Sequence, residues 1–245
     1  EGMHAQYDLD IRNFSEVTKI NPETKSVTIY HHQTKETYEE RYDQLILSTG
    51  AKAIVPPITG LATATNVFSL RNIPDMDQIQ AYIKTQNVQT ATVIGGGFIG
   101  LEMMENLVEL GIDVQLVEMA PQVMPNVDFE LAQQIHQQIN LHGVNLILND
   151  GLKEIQEAGK RLVLTSGQVL QSDLTILSIG VTPENTLAKE AGLTLGFRGG
   201  VKVDHHFQTS QKDIYAIGDM IEVTDFVTQE ATHVPLAWPA NRQGR

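Results

Sequence analysis

No cysteine occurs among the 245 residues, so the chain can form no disulfide and offers no thiol nucleophile of its own. Basic residues are few: 17 Lys and Arg stand against 30 Asp and Glu, a formal charge of −13. A nucleic-acid partner would demand a basic footprint, and none is present. Long apolar runs are also missing, so no stretch has the length of a membrane span. The first residues, Glu1-Gly2-Met3-His4-Ala5, lack the basic and apolar regions of a secretory signal, and the expected location is cytoplasmic. Internal repeats, low-complexity tracts and charge blocks are absent. The eight histidines give no metal-ligand spacing. His31-His32 and His205-His206 are adjacent, which sends strand neighbours to opposite faces, and His136 with His142 misses the helical i,i+4 interval. No metal site is expected. What remains is an ordinary globular composition, 41% hydrophobic and 19% charged, long enough for one large or two modest domains.

Against that background, Gly95 to Gly100 read Gly-Gly-Gly-Phe-Ile-Gly. They place glycine at 95, 97 and 100, in the order G-x-G-x-x-G. An apolar run, Ala91 to Ile94, leads in, a helix-like segment from Phe98 leads out, and a second apolar run closes on Glu118. This is the dinucleotide-binding fingerprint in its full context. Gly95 permits the tight turn out of the strand, Gly97 lets backbone amides approach a diphosphate, and Gly100 lets the helix pack on the sheet. The helix N-terminus supplies N–H groups and partial positive charge. Glu118 lies about 20 positions past the glycines, where a carboxylate receives the ribose hydroxyls. It would repel a 2′-phosphate, and the Met119 that follows offers that phosphate no cation. The expected cofactor is NAD(H) rather than NADP(H).

Apolar periodicity and turn residues predict strands over 7–14, 27–30 and 43–50, with a turn at Asn21-Pro22-Glu23-Thr24. A helix is predicted over 75–84, then strand 91–95, helix 98–110 and strand 112–118. Asp128 is read as the cap of a helix ending near Leu141 before Gly143. Strands follow over 144–148, 153–156, 161–165, 168–170 and 174–179. The alternation predicts an α/β domain over 75–202. The flanks, 1–74 and 203–245, hold mostly strands and loops, and the economical reading joins them into one second domain interrupted by the first.

Two flanking motifs bear on chemistry. Ile214 to Ile217 is an apolar strand that ends in Gly218-Asp219, and Ser48-Thr49-Gly50-Ala51 ends another. Each alone is good turn chemistry. Taken in order with the central fingerprint, the set resembles the pyridine nucleotide-disulfide oxidoreductase family of two-dinucleotide flavoproteins. The resemblance implies that Thr49, Gly50, Gly218 and Asp219 contact FAD. It also implies that Gly95, Gly97, Phe98, Ile99, Gly100, Glu102, Glu118 and Gly180 contact NAD, and that Arg71 lies near the junction of the two nucleotide domains. Val234 to Arg245 resembles the Pro-Leu-Ala-x-Pro-Ala-Asn-Arg-Gln-Gly-Arg segment of the coenzyme A-disulfide reductase and NADH oxidase or peroxidase branch, which brings Ala237 to the flavin. Trp238 departs from the small residue of that pattern. Phe98 is either a gate at the nicotinamide pocket or a core residue at the helix start. Glu102 is either a nicotinamide contact or an acid favourable in the first helical turn.

The fold so implied is α/β: a Rossmann-like NAD-binding domain over 75–202 inserted into a partial FAD-binding domain formed by 1–74 and 203–245. The family's first G-x-G-x-x-G, its redox cysteine and its C-terminal dimerisation domain have no counterpart in the sequence, which reads as an internal fragment of a homodimeric parent. The implied activity is hydride transfer from NADH through FAD to a small molecule: a disulfide such as coenzyme A disulfide, peroxide or oxygen. Two alternatives stand beside it, a flavoprotein reductase of an external electron carrier and a non-catalytic NAD(H)-binding module. With half the flavin cradle, the fragment is expected to bind NAD(H), retain FAD weakly and turn over negligibly.

Overall fold

A computed structural model describes residues 6–245; the first five, on which the signal-sequence reading rests, lie outside the described residues. The chain forms two compact units. Ala53–Val181 makes one, inserted into a second that joins the residues up to Lys52 with Thr182–Arg245.

In chain order the strands and helices are β1 Ser15–Asn21, β2 Ser26–His31, β3 Thr37–Arg41, β4 Leu45–Leu47, β5 Ala51–Ala53, β6 Val67–Ser69, α1 Ile73–Gln86, β7 Thr90–Ile94, α2 Phe98–Glu109, β8 Asp113–Glu118, α3 Phe129–Leu141 and β9 Asn145–Leu148. They continue with β10 Leu152–Gln156, β11 Arg161–Leu164, β12 Val169–Gln171, β13 Leu174–Leu177, β14 Val181–Pro183, α4 Thr186–Glu190, β15 Ile214–Ala216, β16 Val223–Thr224, β17 Ala231–Thr232 and α5 Ala237–Gln243.

The inserted unit is built on a five-stranded sheet in the order β6-β13-β7-β8-β9, parallel throughout. Its apolar strands alternate between two cores, as the two-residue period of a strand requires. Ala91, Val93, Val114, Leu116, Leu174 and Ile176 join one cluster, with Ile79 of α1, Met103 and Leu107 of α2 and Ile139 of α3. Ile94, Val117 and Leu177 face the other, with Ile155, Leu162, Leu164 and Leu170 of the antiparallel sheet β10-β11-β12. Both faces are covered, which is why these strands read as continuous apolar runs. Helix α1 opens with a complete capping box, Asn72 Oδ1 accepting from Asp75 N and Asp75 Oδ2 accepting from Asn72 N.

The outer unit holds the antiparallel sheet β1-β2-β3 and the parallel pair β4-β15. Ile20, Val27, Ile29, Leu47, Ala188, Leu193, Val201, Ile214, Ala216, Met220 and Ile221 form its core.

Four expectations change. The first strand begins at Ser15, not at Tyr7, and Phe14 turns the chain with a φ of 58°. The inserted unit begins at 53 rather than 75, because β6 hydrogen-bonds in parallel to β13 and so belongs to its sheet. It ends at 181 rather than 202, because Ala188, Leu193 and Val201 pack into the outer unit's core. Asp128 stands at the N-cap of α3, yet its side chain makes no capping bond; its carbonyl accepts from Leu131 and Ala132 instead.

Candidate functional site

The turn between β7 and α2 is shaped by contacts that leave no room for a side chain. Gly95 has a φ of 107°, and a Cβ there would lie 2.4 Å from the Ser178 carbonyl oxygen. That oxygen belongs to the residue after β13, and the Ser178 hydroxyl donates to the carbonyls of Ile94 and Gly95 at 2.9 and 3.1 Å. A Cβ on Gly100 would lie 1.9 Å from the Gly95 oxygen. The first turn of α2 therefore rides directly on the glycine loop. Gly97 is different: nothing lies within 4 Å of where its Cβ would be. Backbone is bare and open there.

Gly97 is also the N-cap of α2, which has neither a side-chain cap nor an acid in its first turn. The contrast with the boxed start of α1 is chemical. A helix N-terminus leaves unpaired N–H groups and partial positive charge; at α1 the chain's own side chains meet that demand, and at α2 none does. Such an end suits an anion. Glu118, at the end of β8, accepts from Gly96 N at 2.6 Å through Oε2 and from Ala120 N at 2.7 Å through Oε1. Two backbone amides thus fix the carboxylate beside the glycine turn. A carboxylate accepts about four hydrogen bonds, so capacity remains for vicinal hydroxyls. The residues present fit an adenine dinucleotide.

Phe98, the first residue of α2, is 52% exposed, which removes the core-packing alternative; the next residue, Ile99, packs on the helix-side core instead. Glu102 is exposed and is the fifth residue of α2, beyond the first turn, so a role as a first-turn acid is also removed. Gly180, with a φ of 109°, is exposed and accepts from Ile54 N at 3.0 Å. Arg71 precedes α1 in the inserted unit, its backbone N–H donating to Asp75 Oδ2 at 2.8 Å.

In the outer unit, β4 and β15 each end in a glycine turn. Gly50 has a φ of 71°, and its carbonyl accepts from Glu184 N at 2.9 Å. The Thr49 hydroxyl donates to the Glu184 carbonyl at 2.6 Å. That bond uses the hydroxyl's one proton, so toward a ligand the Thr49 side chain can act only as an acceptor. Glu184 takes hydrogen bonds from Thr186 and an ion pair with Lys52, which outweigh burial and lower its pKa. Gly218 has a φ of 77° and donates its N–H to Gln243 Oε1 at 2.6 Å, tying the turn to α5, the helix that Ala237 begins. The Asp219 carbonyl accepts from His233 Nε2. Trp238 is 67% exposed, with the Arg242 guanidinium 5.9 Å from its ring centre. Thr49, Gly50, Gly218, Asp219 and Ala237 thus lie on two parallel strand ends and one helix of the same unit.

Reading the sequence missed Gly96, Val123, Met124 and Ser178 as builders of the glycine turn. Only Gly96 carried a local signal, as the middle of three consecutive glycines. The others reach the turn through tertiary contacts.

The profile of the pyridine nucleotide-disulphide oxidoreductases matches residues 4–244. The chain belongs to that family. Among relatives in it, the coenzyme A disulfide reductase of Staphylococcus epidermidis is 34% identical over 235 residues, 96% of this chain and 52% of the relative. An NADH oxidase of Methanocaldococcus jannaschii is 35% identical over 247 residues, covering 100% of this chain and 54% of the relative. Reduced CoADR-RHD of Bacillus anthracis superposes with a TM-score of 0.98 at 57% identity, over 99% of this chain and 44% of that one. The chain spans about half the length of the curated relatives it matches. Among the described residues, no cluster of three or more His, Asp or Glu gathers as for a metal, and no helix is long and apolar enough to cross a membrane.

Proposed function

We propose that this chain is the nicotinamide-binding part, and a portion of the flavin-binding part, of an NADH-dependent flavin oxidoreductase that reduces a small-molecule acceptor. The observation that carries the reading is the uncapped N-terminus of α2 behind an open Gly97, with the Glu118 carboxylate fixed 2.6 Å from Gly96 N. The amides of the first turn of α2 would hold the diphosphate, and Glu118 the adenosine ribose hydroxyls. The same carboxylate disfavours a 2′-phosphate by charge, so NADH is the preferred donor. Phe98, Ile99, Glu102 and Gly180 lie along the nicotinamide end. The turns at Thr49-Gly50 and Gly218-Asp219, with Ala237 of α5, would hold the ribityl and ring portion of FAD.

The bound pair would supply the chemistry, hydride passing from nicotinamide to flavin. These residues supply position and charge. The acceptor we favour is a disulfide of the coenzyme A type, in keeping with the relatives above; peroxide and oxygen belong to the same branch. No thiol of this chain takes part, since it has none. The parent would work as a soluble homodimer in the cytoplasm.

Calorimetric titration with NADH and NADPH tests the reading. NADH should bind more tightly, and Glu118→Ala should weaken it by about tenfold, the effect of losing charged hydrogen bonds, while narrowing the gap to NADPH. Equal affinity for the two in the unaltered chain would sink the ribose assignment.

A further inference from the structure

The loop joining β8 to α3, residues 119–128, forms a wall of the glycine turn. Val123 is fully buried, and a Cβ on Gly96 would lie 2.8 Å from its Cγ1. Met124 donates its N–H to the Gly96 carbonyl at 2.8 Å. At the start of the loop, Ala120 N holds Glu118 Oε1. Gln122 Nε2 closes the loop on itself, donating to the Val127 carbonyl at 2.9 Å. Gly96 and Glu118 are thus held by the same ten residues. Two groups from outside hold those residues in turn: Asn149, whose N–H donates to the Ala120 carbonyl at 3.1 Å, and, at the buried middle of the loop, His136. It lies on α3, is 8% exposed, and its Nε2 accepts the Val123 N–H at 3.1 Å. A ring nitrogen accepts only when it carries no proton, so this bond requires the neutral imidazole with its hydrogen on Nδ1.

We propose that His136 is a positioning residue of the dinucleotide site: its neutral ring pins the 119–128 loop against Gly96 and thereby keeps Glu118 in place for the ribose. The inference rests on the dinucleotide reading given above. Its consequence is a pH dependence with a definite sign. Protonation turns Nε2 into a donor that faces another donor, so the bond to Val123 must break and the wall of the turn loosens. Proton uptake favours the loosened form, and nucleotide affinity therefore falls as pH falls. Burial lowers the His136 pKa, and no charged neighbour contributes to that shift. The ring is therefore neutral at neutral pH, and the loss sets in below the ordinary histidine range. The elements that carry or adjoin His136 hold these titratable groups: Asp113 and Glu118 on β8, Asp128 on the loop, and Glu130 and His142 on or beside α3; β9, which packs on α3, carries none.

The test is calorimetric titration of the full chain with NAD⁺, which is stable to acid, at about pH 7.5 and in steps down to about pH 4.5, from above an ordinary histidine pKa into the range below it where burial moves His136. Three proteins are compared: unaltered, His136→Gln and His136→Leu. The unaltered chain should bind about fivefold more weakly in acid, a fraction of what stranding one buried amide costs. His136→Gln should bind as the unaltered chain does at the higher pH, since its Oε1 accepts the same N–H, and should lose the acid effect because it cannot take a proton. Asp113, Glu118, Asp128, Glu130 and His142 remain in this variant, so an acid effect belonging to them would persist and overturn the proposal. His136→Leu should be about fivefold weaker at the higher pH; full affinity there would also overturn it. Should the leucine variant not fold, the comparison of the unaltered and glutamine proteins decides alone. No binding by the unaltered chain at any of these pH values would instead refute the dinucleotide reading itself.

Discussion

The two units each end parallel strands in glycine turns, but the inserted unit packs the Gly95-Gly96 side of its turn tightly and leaves only Gly97 open. Its strands β7, β8 and β13 are covered on both faces, and the turn at Gly95 is walled by Ser178, Val123 and Glu118, all of the same unit. Among the described residues, the parallel strands of the outer unit's core form a single pair, β4 with β15, and Ile46 in the middle of β4 is 62% exposed. Its two turns are tied across long separations, Thr49 to Glu184 and Gly218 to Gln243. The lesson is one of locality. Recognition of a diphosphate needs one strand, one turn and one helix start, so a single contiguous segment can carry it. The flavin cradle proposed above would be assembled from segments far apart in sequence, Thr49-Gly50 and Gly218-Asp219 among them.

The largest effect we expect would break the inserted unit's advantage at its tightest point. Gly95→Ala would place a Cβ against the Ser178 backbone at a φ of 107°, and nothing there is free to move. The expected cost is about 3 kcal/mol in urea denaturation, with NADH binding lost. Gly97→Ala is the internal control. Nothing surrounds that position, so stability should hold within about 0.5 kcal/mol while NADH affinity falls, because the new methyl occupies the ligand's path. Equal destabilisation by both substitutions would show that the openness of Gly97 has no functional meaning.

In the outer unit the matching comparison lies on one strand. Leu47 is 5% exposed and packs in the core, whereas Ile46 beside it faces away. Leu47→Ala should cost about 2–4 kcal/mol through the cavity it leaves. Ile46→Ala should change stability by less than about 0.5 kcal/mol. A large loss at Ile46 in sedimentation-checked monomer would mean that β4 is covered after all.

How much of this was legible beforehand follows the same division. The run Ala91 to Ile94, the glycines and Glu118 lie close together, so periodicity and spacing placed β7, α2 and β8 within a residue of where they are. Helix stops at Gly111 and Gly143 were legible because positive φ is a local property. The inserted unit's limits were not, because Val67 to Ser69 declares itself a sheet strand only through pairing with β13, far along the chain. Residues 186–201 carry an ordinary helix-and-turn pattern that says nothing about which core it joins; Ala188 and Val201 answer that by packing with Ile214. The hairpin β16-β17 is too short to show alternation. At the site, Glu118 was found from its spacing, while Ser178 and His136 were not, since their contacts with the turn and its wall are tertiary.

A smaller loss than that at Leu47 is expected in acid, and it again separates the units. Asp173, between β12 and β13, accepts through Oδ2 from Gln89 N, Thr90 N and Thr90 Oγ1 at 3.1, 3.0 and 3.1 Å. It ties the start of β7 to the start of β13. Burial opposes its charge, but the hydrogen bonds from Thr90 and Gln89 outweigh burial and lower its pKa below the ordinary carboxylate value. A depressed folded-state pKa means that the unfolded chain takes up its proton first as pH falls. The stabilisation is therefore present at neutral pH, begins to fade as the pH drops through the unfolded value near 4, and is gone below the folded one. Asp173→Asn keeps the shape but replaces the charged acceptor. It should cost about 1–2 kcal/mol at pH 7, and the gap to the unaltered protein should close in strongly acid solution, read by urea denaturation at both. Glu184 in the outer unit has a lowered pKa for a related reason, chiefly the Thr186 hydroxyl, but it is more open to water and clasps a turn instead of two sheet strands. Glu184→Gln should accordingly show the same sign and a smaller gap. A larger loss there than at Asp173 would reverse the ranking of the two units and make the Glu184 turn, not the five-stranded sheet, the more acid-sensitive part of the chain.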